Sequence, residues 1–484
     1  MSPNSFFVAN FGCRSSQSEG AAVEQELLDG SATPAASAFA ANLVIVNTCT
    51  VTEEADREAR QLIRRIATRN PEARVIVTGC YAQRVPDELA ALPGVSHVVG
   101  NSHKPILGKL ALKVLESDLQ PKERSGRAEV FCSDIFLESE LKPEAHPGSS
   151  GRTRAVVKVQ DGCNANCSFC IIPSVRGRSR SLPCSAVIEE IASLADRGYK
   201  EVVLSGIHLG TYGRDLNPRT SLQTLIENIL ESVPTLQRLR LSSIEPLEVT
   251  PEIIALVAAN PRMAHHFHVP LQSGSSRVLR AMRRPYQPEY YADLLHRIRS
   301  QVEDAAIGAD VMVAFPGETD EEFSETFRLI EDTPLTYLHV FPYSARPGTP
   351  AADLPAQVPP HVSSFRARAL RQLIARKNAA FLASMVDRNL DVLVLQSGEG
   401  LTGNFLRIDV SEELPLNEWI RLRVTGIEGG KLSTSSPFPP ISDSFTLDTA
   451  AKIGLLKPLA WNMLGLRSFF SIMHACGRQS RGPR

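Results

Sequence analysis

Short apolar runs alternate with amphipathic stretches along the first hundred residues. Residues 6–9 (Phe-Phe-Val-Ala), 43–46 (Leu-Val-Ile-Val) and 75–77 (Val-Ile-Val) read as strands, and a helix-like stretch at 57–69 separates the last two. This strand–helix–strand rhythm predicts a parallel α/β layer. Over residues 117–148 the pattern loosens into Glu-, Lys-, Ser- and Pro-bearing sequence that reads as a connector. Six further strand-like segments follow, at 155–159, 201–204, 238–241, 266–269, 309–313 and 338–341, alternating with helical sequence. Six β/α units predict an open, partial barrel whose working groups sit at the carboxyl ends of its strands. The basic stretch 365–388 reads as a helix joining two domains, and 391–396, 401–409 and 419–426 read as strands of a small antiparallel β-barrel. The expected fold class is thus α/β: an N-terminal parallel-sheet domain at 3–116, the connector at 117–148, a barrel core at 149–379, a β-barrel at 380–440, and a tail at 441–484 to which the sequence assigns no role.

Composition narrows the picture. The 484 residues carry 52 basic and 53 acidic side chains, a formal charge of -1, so any nucleic-acid contact must come from local patches. No apolar run reaches the roughly 18 residues of a membrane span, and no membrane association is expected. Nine cysteines, an odd number in a long chain with no secretory pattern, argue against disulfides and for a cytoplasmic protein.

Three of those cysteines fall within eight residues: Cys163, Cys167 and Cys170, directly after the apolar segment 155–159. Three thiolates from one short loop can hold three irons of a [4Fe-4S] cubane and leave the fourth open to an exogenous ligand. A zinc site would need a fourth Cys or His at paired spacing, and no C-x2-C partner occurs elsewhere. Cys13, Cys49 and Cys80 each lie just past one of the first three strands, which places them at one sheet edge, where α/β folds gather ligands. They read as a second three-cysteine cluster, whereas Cys132, Cys184 and Cys476 lack such placement and read as ordinary thiols. Of His265, His266 and His268, strand alternation lets only His266 and His268 act together, and a metal site there is not expected.

The C-x3-C-x2-C pattern is the signature of radical S-adenosylmethionine (SAM) enzymes, and the chain as a whole resembles the radical-SAM methylthiotransferases over about residues 3–440. Within that family Asn47-Thr-Cys-Thr-Val-Thr52, Thr78-Gly-Cys-Tyr-Ala-Gln83, Gln160-Asp-Gly-Cys163, residues 172–181 and Ser205-Gly-Ile-His-Leu-Gly210 look most like the branch acting on N6-threonylcarbamoyladenosine in tRNA. The resemblance implies two [4Fe-4S] clusters with three Cys ligands each, SAM as cofactor, and a C-terminal TRAM domain. It implies methylthio insertion at carbon 2 of the modified adenosine at position 37, next to the anticodon. Phe169, Gly206, Ser243, Glu245 and Gln272 occupy positions where SAM contacts are expected. Two departures stand out: Ser16 where the family commonly has Asn, and Ala314 where a Gly is usual before Phe315-Pro-Gly-Glu318.

The implied partners are the tRNA anticodon stem-loop, an electron donor of flavodoxin or ferredoxin type and a sulfur source, with the enzyme itself a monomer. Arg176, Arg178 and Arg180 beside the cluster loop are the favoured phosphate contacts, ahead of the helix beginning at Arg366 and of Arg57, Arg60 and Arg64. Seven acids against four bases between Asp391 and Lys431 give the TRAM region a net charge of −3, which suits RNA poorly. Methylthiolation of a ribosomal-protein aspartate, or of a different modified adenosine, is therefore the alternative. A two-cluster electron carrier or noncatalytic RNA-binding module is the reading from another class.

Overall fold

The structure is a computed structural model that describes residues 4–117, 127–143 and 153–434. The expected tail at 441–484 and parts of the connector lie outside the described residues.

The first sheet has six strands: β1 (Ser5–Asn10), β2 (Thr33–Pro34), β3 (Leu43–Thr48), β4 (Arg74–Gly79), β5 (Val95–Val99) and β6 (Glu129–Phe131), in the order β2-β1-β3-β4-β5-β6 with all pairings parallel. β3 is apolar over its first four residues because both faces are covered, as parallel sheets require. Val44 and Val46 join Ile63 and Ile66 of the helix Glu53–Arg69 on one face, while Leu43 and Ile45 meet Leu27 and Leu107 on the other. Thr52 starts that helix by accepting a hydrogen bond from the Ala55 backbone N–H (3.2 Å). One expectation changes here: Glu129–Phe131, read as connector, adds the sixth strand.

The barrel strands are β7 (Arg154–Asp161), a two-residue β8 (Arg180–Ser181), β9 (Glu201–Gly206), β10 (Arg238–Leu241), β11 (His266–His268), β12 (Ala306–Val313) and β13 (Tyr337–Pro342). Parallel pairs β7–β9 and β9–β10 form one sheet and β11–β12–β13 another; single bridges Leu239–Met263 and Ser243–His268 join them. The six parallel strands coincide with the six expected, and the open edge is the mark of a partial barrel. One continuous apolar cluster packs the helices on the outside of these strands.

The helix Pro360–Ala383 leads to a last sheet of β14 (Asn389–Gln396), β15 (Glu399–Thr402), β16 (Arg407–Asp409), β17 (Trp419–Arg423), β18 (Gly426–Glu428) and β19 (Lys431–Ser433), antiparallel but for the β16–β19 pair. The segment read as one strand at 401–409 is two, broken by a turn at Phe405 (φ 66°). That turn places the Phe405 ring against His266 and Tyr337 at the amino ends of β11 and β13. No helix among the described residues is long and apolar enough to cross a membrane.

Candidate active site

β1, β3 and β4 are adjacent, and their registers align Asn10 with Asn47 and Thr48 with Gly79. The residues that follow, Cys13, Cys49 and Cys80, therefore converge at one carboxyl edge. Gly12 (φ 97°) makes the approach possible, since a Cβ there would stand 2.7 Å from the Cys49 Cβ. Burial pushes the Cys49 thiol up to about 12, with Cys80 and Cys13 adding to the rise. Cys49 and Cys80 are buried while Cys13 is exposed, leaving the trio open on one side.

The barrel set is built locally. Asp161 ends β7 and its carboxylate accepts the Gly162 N–H (2.8 Å); Gly162 (φ 73°) then turns so tightly that a Cβ would lie 2.0 Å from the Arg178 carbonyl oxygen. Cys163 donates its N–H to Gly177 O (3.1 Å), and Ser168 donates to Met282 O and receives from Ala351 N–H, which pins the loop at both ends. Burial raises the Cys167 and Cys170 thiols, the latter to about 12.

Guanidinium and imidazole groups stand beside both sets, and two of them, Arg284 and His208, were given no role in the sequence reading. The Arg284 guanidinium reaches the Cys167 Sγ (3.4 Å) and pairs with Glu245. His208 lies 3.5 Å from the Cys163 Sγ and 3.4 Å from Glu248; burial opposes its charge, but these two partners push its pKa up to about 10. Arg176, on the short helix Ile172–Arg176 after the barrel loop, points back to the N-terminal set and donates from Nε to the Cys80 Sγ (3.2 Å). Its Nη1 also donates to Glu19 (2.7 Å) and Asp161 (2.9 Å). Lys158 and Lys104 share Glu19, so three cations meet two carboxylates in a buried network that Arg176 carries to the Cys80 sulfur. Within it, burial opposes the Glu19 charge, yet the surrounding cations hold its pKa well below the usual carboxylate range.

These contacts correct the RNA assignment. Arg176 and Arg180 are buried (1% and 7% exposed) and serve the interior, so of that trio only Arg178 is exposed. Arg366 is likewise buried against Glu318 and Asp320. Arg57 pairs with Glu54, and Arg60 with Glu88 and Tyr81, as a solvated charged face would. The residues expected around SAM sit at strand ends. Gly206 closes β9, where a Cβ would come 2.9 Å from the Gln160 Oε1. Ser243 bridges His268, Glu245 holds Arg284, and Gln272 (φ 66°) bridges Val311. Phe169 packs against the apolar group around Val278, Met282 and Phe315.

His266 and His268 do act on one face, both hydrogen-bonding the Tyr337 hydroxyl (2.7 and 3.0 Å), while His265 turns to Asp304. Sequence reasoning missed Asp310 and His339. Asp310 lies 3.1 Å from each of His268 and His339, and although burial works against its charge these hydrogen bonds hold its pKa well below the usual range. Among the described residues only this trio brings three ligand atoms within 4.8 Å of one another. Neither cysteine set brings its three sulfurs within that spacing of one another, which a single tetrahedral ion with Zn–S of about 2.3 Å would impose.

A three-cysteine loop at the mouth of a six-stranded partial barrel, with sulfur-directed cations around it, defines a radical-SAM enzyme, and the Radical SAM superfamily model matches residues 157–330. A second model, described as uncharacterized protein family UPF0004, matches residues 5–100. The threonylcarbamoyladenosine tRNA methylthiotransferase MtaB of Rickettsia prowazekii is 35% identical over 80% of this chain and 89% of its own, and that of Aquifex aeolicus 38% over 77% and 88%. A tRNA-2-methylthio-N(6)-dimethylallyladenosine synthase of Acidothermus cellulolyticus is 33% identical over 89% and 85%. Among solved structures, the radical SAM methyltransferase TsrM of Kitasatospora setae shares the fold, with a TM-score of 0.53 at 16% identity over 73% of this chain and 77% of that one. The chain belongs to the MtaB-like radical-SAM methylthiotransferases, enzymes that transfer a sulfur-containing group with a [4Fe-4S] cluster and SAM.

Proposed function

We propose that the chain inserts a methylthio group at carbon 2 of N6-threonylcarbamoyladenosine at position 37 of tRNA, beside the anticodon. The observation that carries this reading is the approach of the N-terminal cysteine set to the barrel loop: Cys80 packs against Ile171, the neighbour of Cys170, and accepts a hydrogen bond from Arg176, six residues past that cysteine. Cys163, Cys167 and Cys170 would hold the cluster that binds SAM, and Cys13, Cys49 and Cys80 a second [4Fe-4S] cluster. When bound, these groups supply hydrogen abstraction by a 5′-deoxyadenosyl radical and the sulfur to be inserted.

The chain's own residues do the rest. Arg176 and Arg284 place donors on cysteine sulfur, the kind of outer contact that tunes cluster potential. Phe169, Gly206, Ser243, Glu245 and Gln272 lie where SAM would be oriented. The exposed Arg178 guanidinium is a phosphate contact for a single-stranded loop, from which a base is extruded at a cost of only a few kcal/mol. A flavodoxin- or ferredoxin-type donor would supply electrons to a monomeric enzyme.

The test supplies anaerobically reconstituted protein, dithionite and SAM with tRNA that carries threonylcarbamoyladenosine, and follows the methylthio mass shift in the nucleosides. Modification of dimethylallyladenosine instead, or of an aspartate in added ribosomal protein, would refute the substrate assigned.

A further inference from the structure

The floor of the barrel carries an arrangement that neither cysteine set uses. The Phe405 ring is faced by three guanidinium groups, with the central carbons of Arg240, Arg14 and Arg154 at 5.1, 5.8 and 6.0 Å from its centre. Glu201 answers two of them, accepting from Arg240 Nε (2.8 Å) and Nη2 (3.0 Å) and from Arg154 Nη1 (3.4 Å). Three positive charges thus face one carboxylate. Arg14 forms no ion pair among the described residues, and its Nη1 and that of Arg240 are buried without a hydrogen-bond partner. A buried guanidinium nitrogen left unpaired is costly, and a surplus of charge beside it calls for an anion.

The position of Arg14 says which anion. It follows Cys13 directly, so its side chain runs from the N-terminal cysteine set into the barrel, toward the Phe405 and Tyr337 rings. In adenine, carbons 2 and 6 flank the same ring nitrogen, so a substituent on N6 can lie along the edge of the base that carries the reacting carbon. A threonylcarbamoyl substituent bears a free carboxylate and a hydroxyl, whereas a dimethylallyl group bears neither.

We propose that Arg14, backed by Arg240, receives the carboxylate of the N6 substituent and thereby selects threonylcarbamoyladenosine over adenosines with neutral, apolar substituents. The inference rests on the substrate class proposed above. A guanidinium takes a carboxylate through paired hydrogen bonds, and the incoming charge satisfies both orphaned nitrogens. A site built this way discriminates strongly, because a ligand without the anion leaves the buried donors unpaired.

The experiment compares two anticodon stem-loop RNAs, one with threonylcarbamoyladenosine and one in which its carboxylate is converted to the neutral carboxamide. Affinity is read by fluorescence anisotropy and methylthiolation by nucleoside mass analysis, for the full chain and for Arg14→Gln and Arg14→Lys. The unaltered chain should favour the carboxylate roughly 10- to 100-fold, the range of a hydrogen bond between charged groups. Arg14→Gln should abolish that preference and Arg14→Lys keep part of it. Each preference is a ratio within one preparation, so incomplete folding or cluster loading of a variant cancels. Equal use of both RNAs by the unaltered chain, or an undiminished ratio in Arg14→Gln, overturns the inference alone. Failure to modify either RNA while a dimethylallyladenosine RNA is modified overturns the substrate class as well.

Discussion

The two cysteine sets reach similar ends by opposite routes. The barrel set is one loop of eight residues, held by its own backbone between Gly162 and Gly177. The N-terminal set is spread over sixty-eight residues and exists only because β1, β3 and β4 lie side by side in a parallel sheet. A local site survives modest shifts of the surrounding fold, since its ligands move together. A site assembled from three strand ends is only as well formed as the sheet, and here it is further braced from outside by Arg176 of the other set's helix. The brace runs one way among the described contacts: the N-terminal set depends on a barrel residue for its cation, while the barrel set takes Arg284 and His208 from the barrel itself.

The largest expected effect breaks the pair apart. Cys167→Ala should remove the SAM-binding centre and reduce 5′-deoxyadenosine formation to background, with about half the iron retained. Cys49→Ala should leave SAM cleavage measurable while methylthio product disappears. Iron and sulfide analysis, with 5′-deoxyadenosine and nucleoside product measured in the same reactions, decides the matter. Loss of all iron from Cys49→Ala, or product formation without Cys49, would contradict two separate centres.

A smaller effect tests the brace. Arg176→Met takes hydrogen bonds from Glu19 and Asp161, which keep Lys158 and Lys104 as partners, so the cost is that of a hydrogen bond to a charged group, about 1.5–3 kcal/mol. Denaturant unfolding should show that loss, and, if Cys13, Cys49 and Cys80 hold the proposed second cluster, its electron paramagnetic resonance signal should change while that of the barrel cluster holds. Arg284→Met should do the reverse, altering the barrel cluster's signal and lowering its potential by removing a donor from the Cys167 sulfur. Equal changes at both clusters in either variant would mean that the two sets are not supported independently.

The same contrast explains what could be seen in the sequence. The barrel loop is legible from spacing alone, because its ligands are neighbours. The N-terminal set is legible at one remove, through apolar runs that announce parallel strands and so place Cys13, Cys49 and Cys80 at a common edge. Charges were misread for a physical reason. Arg176 and Arg180 look like a basic surface stretch, since nothing local signals that Arg176 pairs with Glu19, 157 residues away, while Arg180 turns inward to the Arg176 carbonyl oxygen. Arg284, His208 and Arg14 escaped for the same reason: their significance comes from side chains brought near by the tertiary fold. The Phe405 turn was hidden inside what reads as one strand, and its role emerges only where it meets the barrel floor.

The smallest expected effect isolates a strain that belongs to neither cysteine set. Ala314 follows β12 directly with φ 62°, a left-handed conformation that costs a non-glycine residue roughly 1–2 kcal/mol. The strain is retained because the Ala314 N–H donates to Glu318 (2.7 Å), which in turn is fixed by the buried Arg366. Ala314→Gly removes the Cβ penalty but raises the entropy of the unfolded chain, which offsets part of the gain. A net stabilisation of about 0.5–1 kcal/mol should appear as a shift of the unfolding midpoint with unchanged denaturant slope. The signals that Arg176→Met and Arg284→Met are expected to alter should stay as they are, which separates backbone strain beside a strand end from the cations at the two cysteine sets. Destabilisation on the same substitution would show that the methyl group packs favourably enough to outweigh its conformational cost.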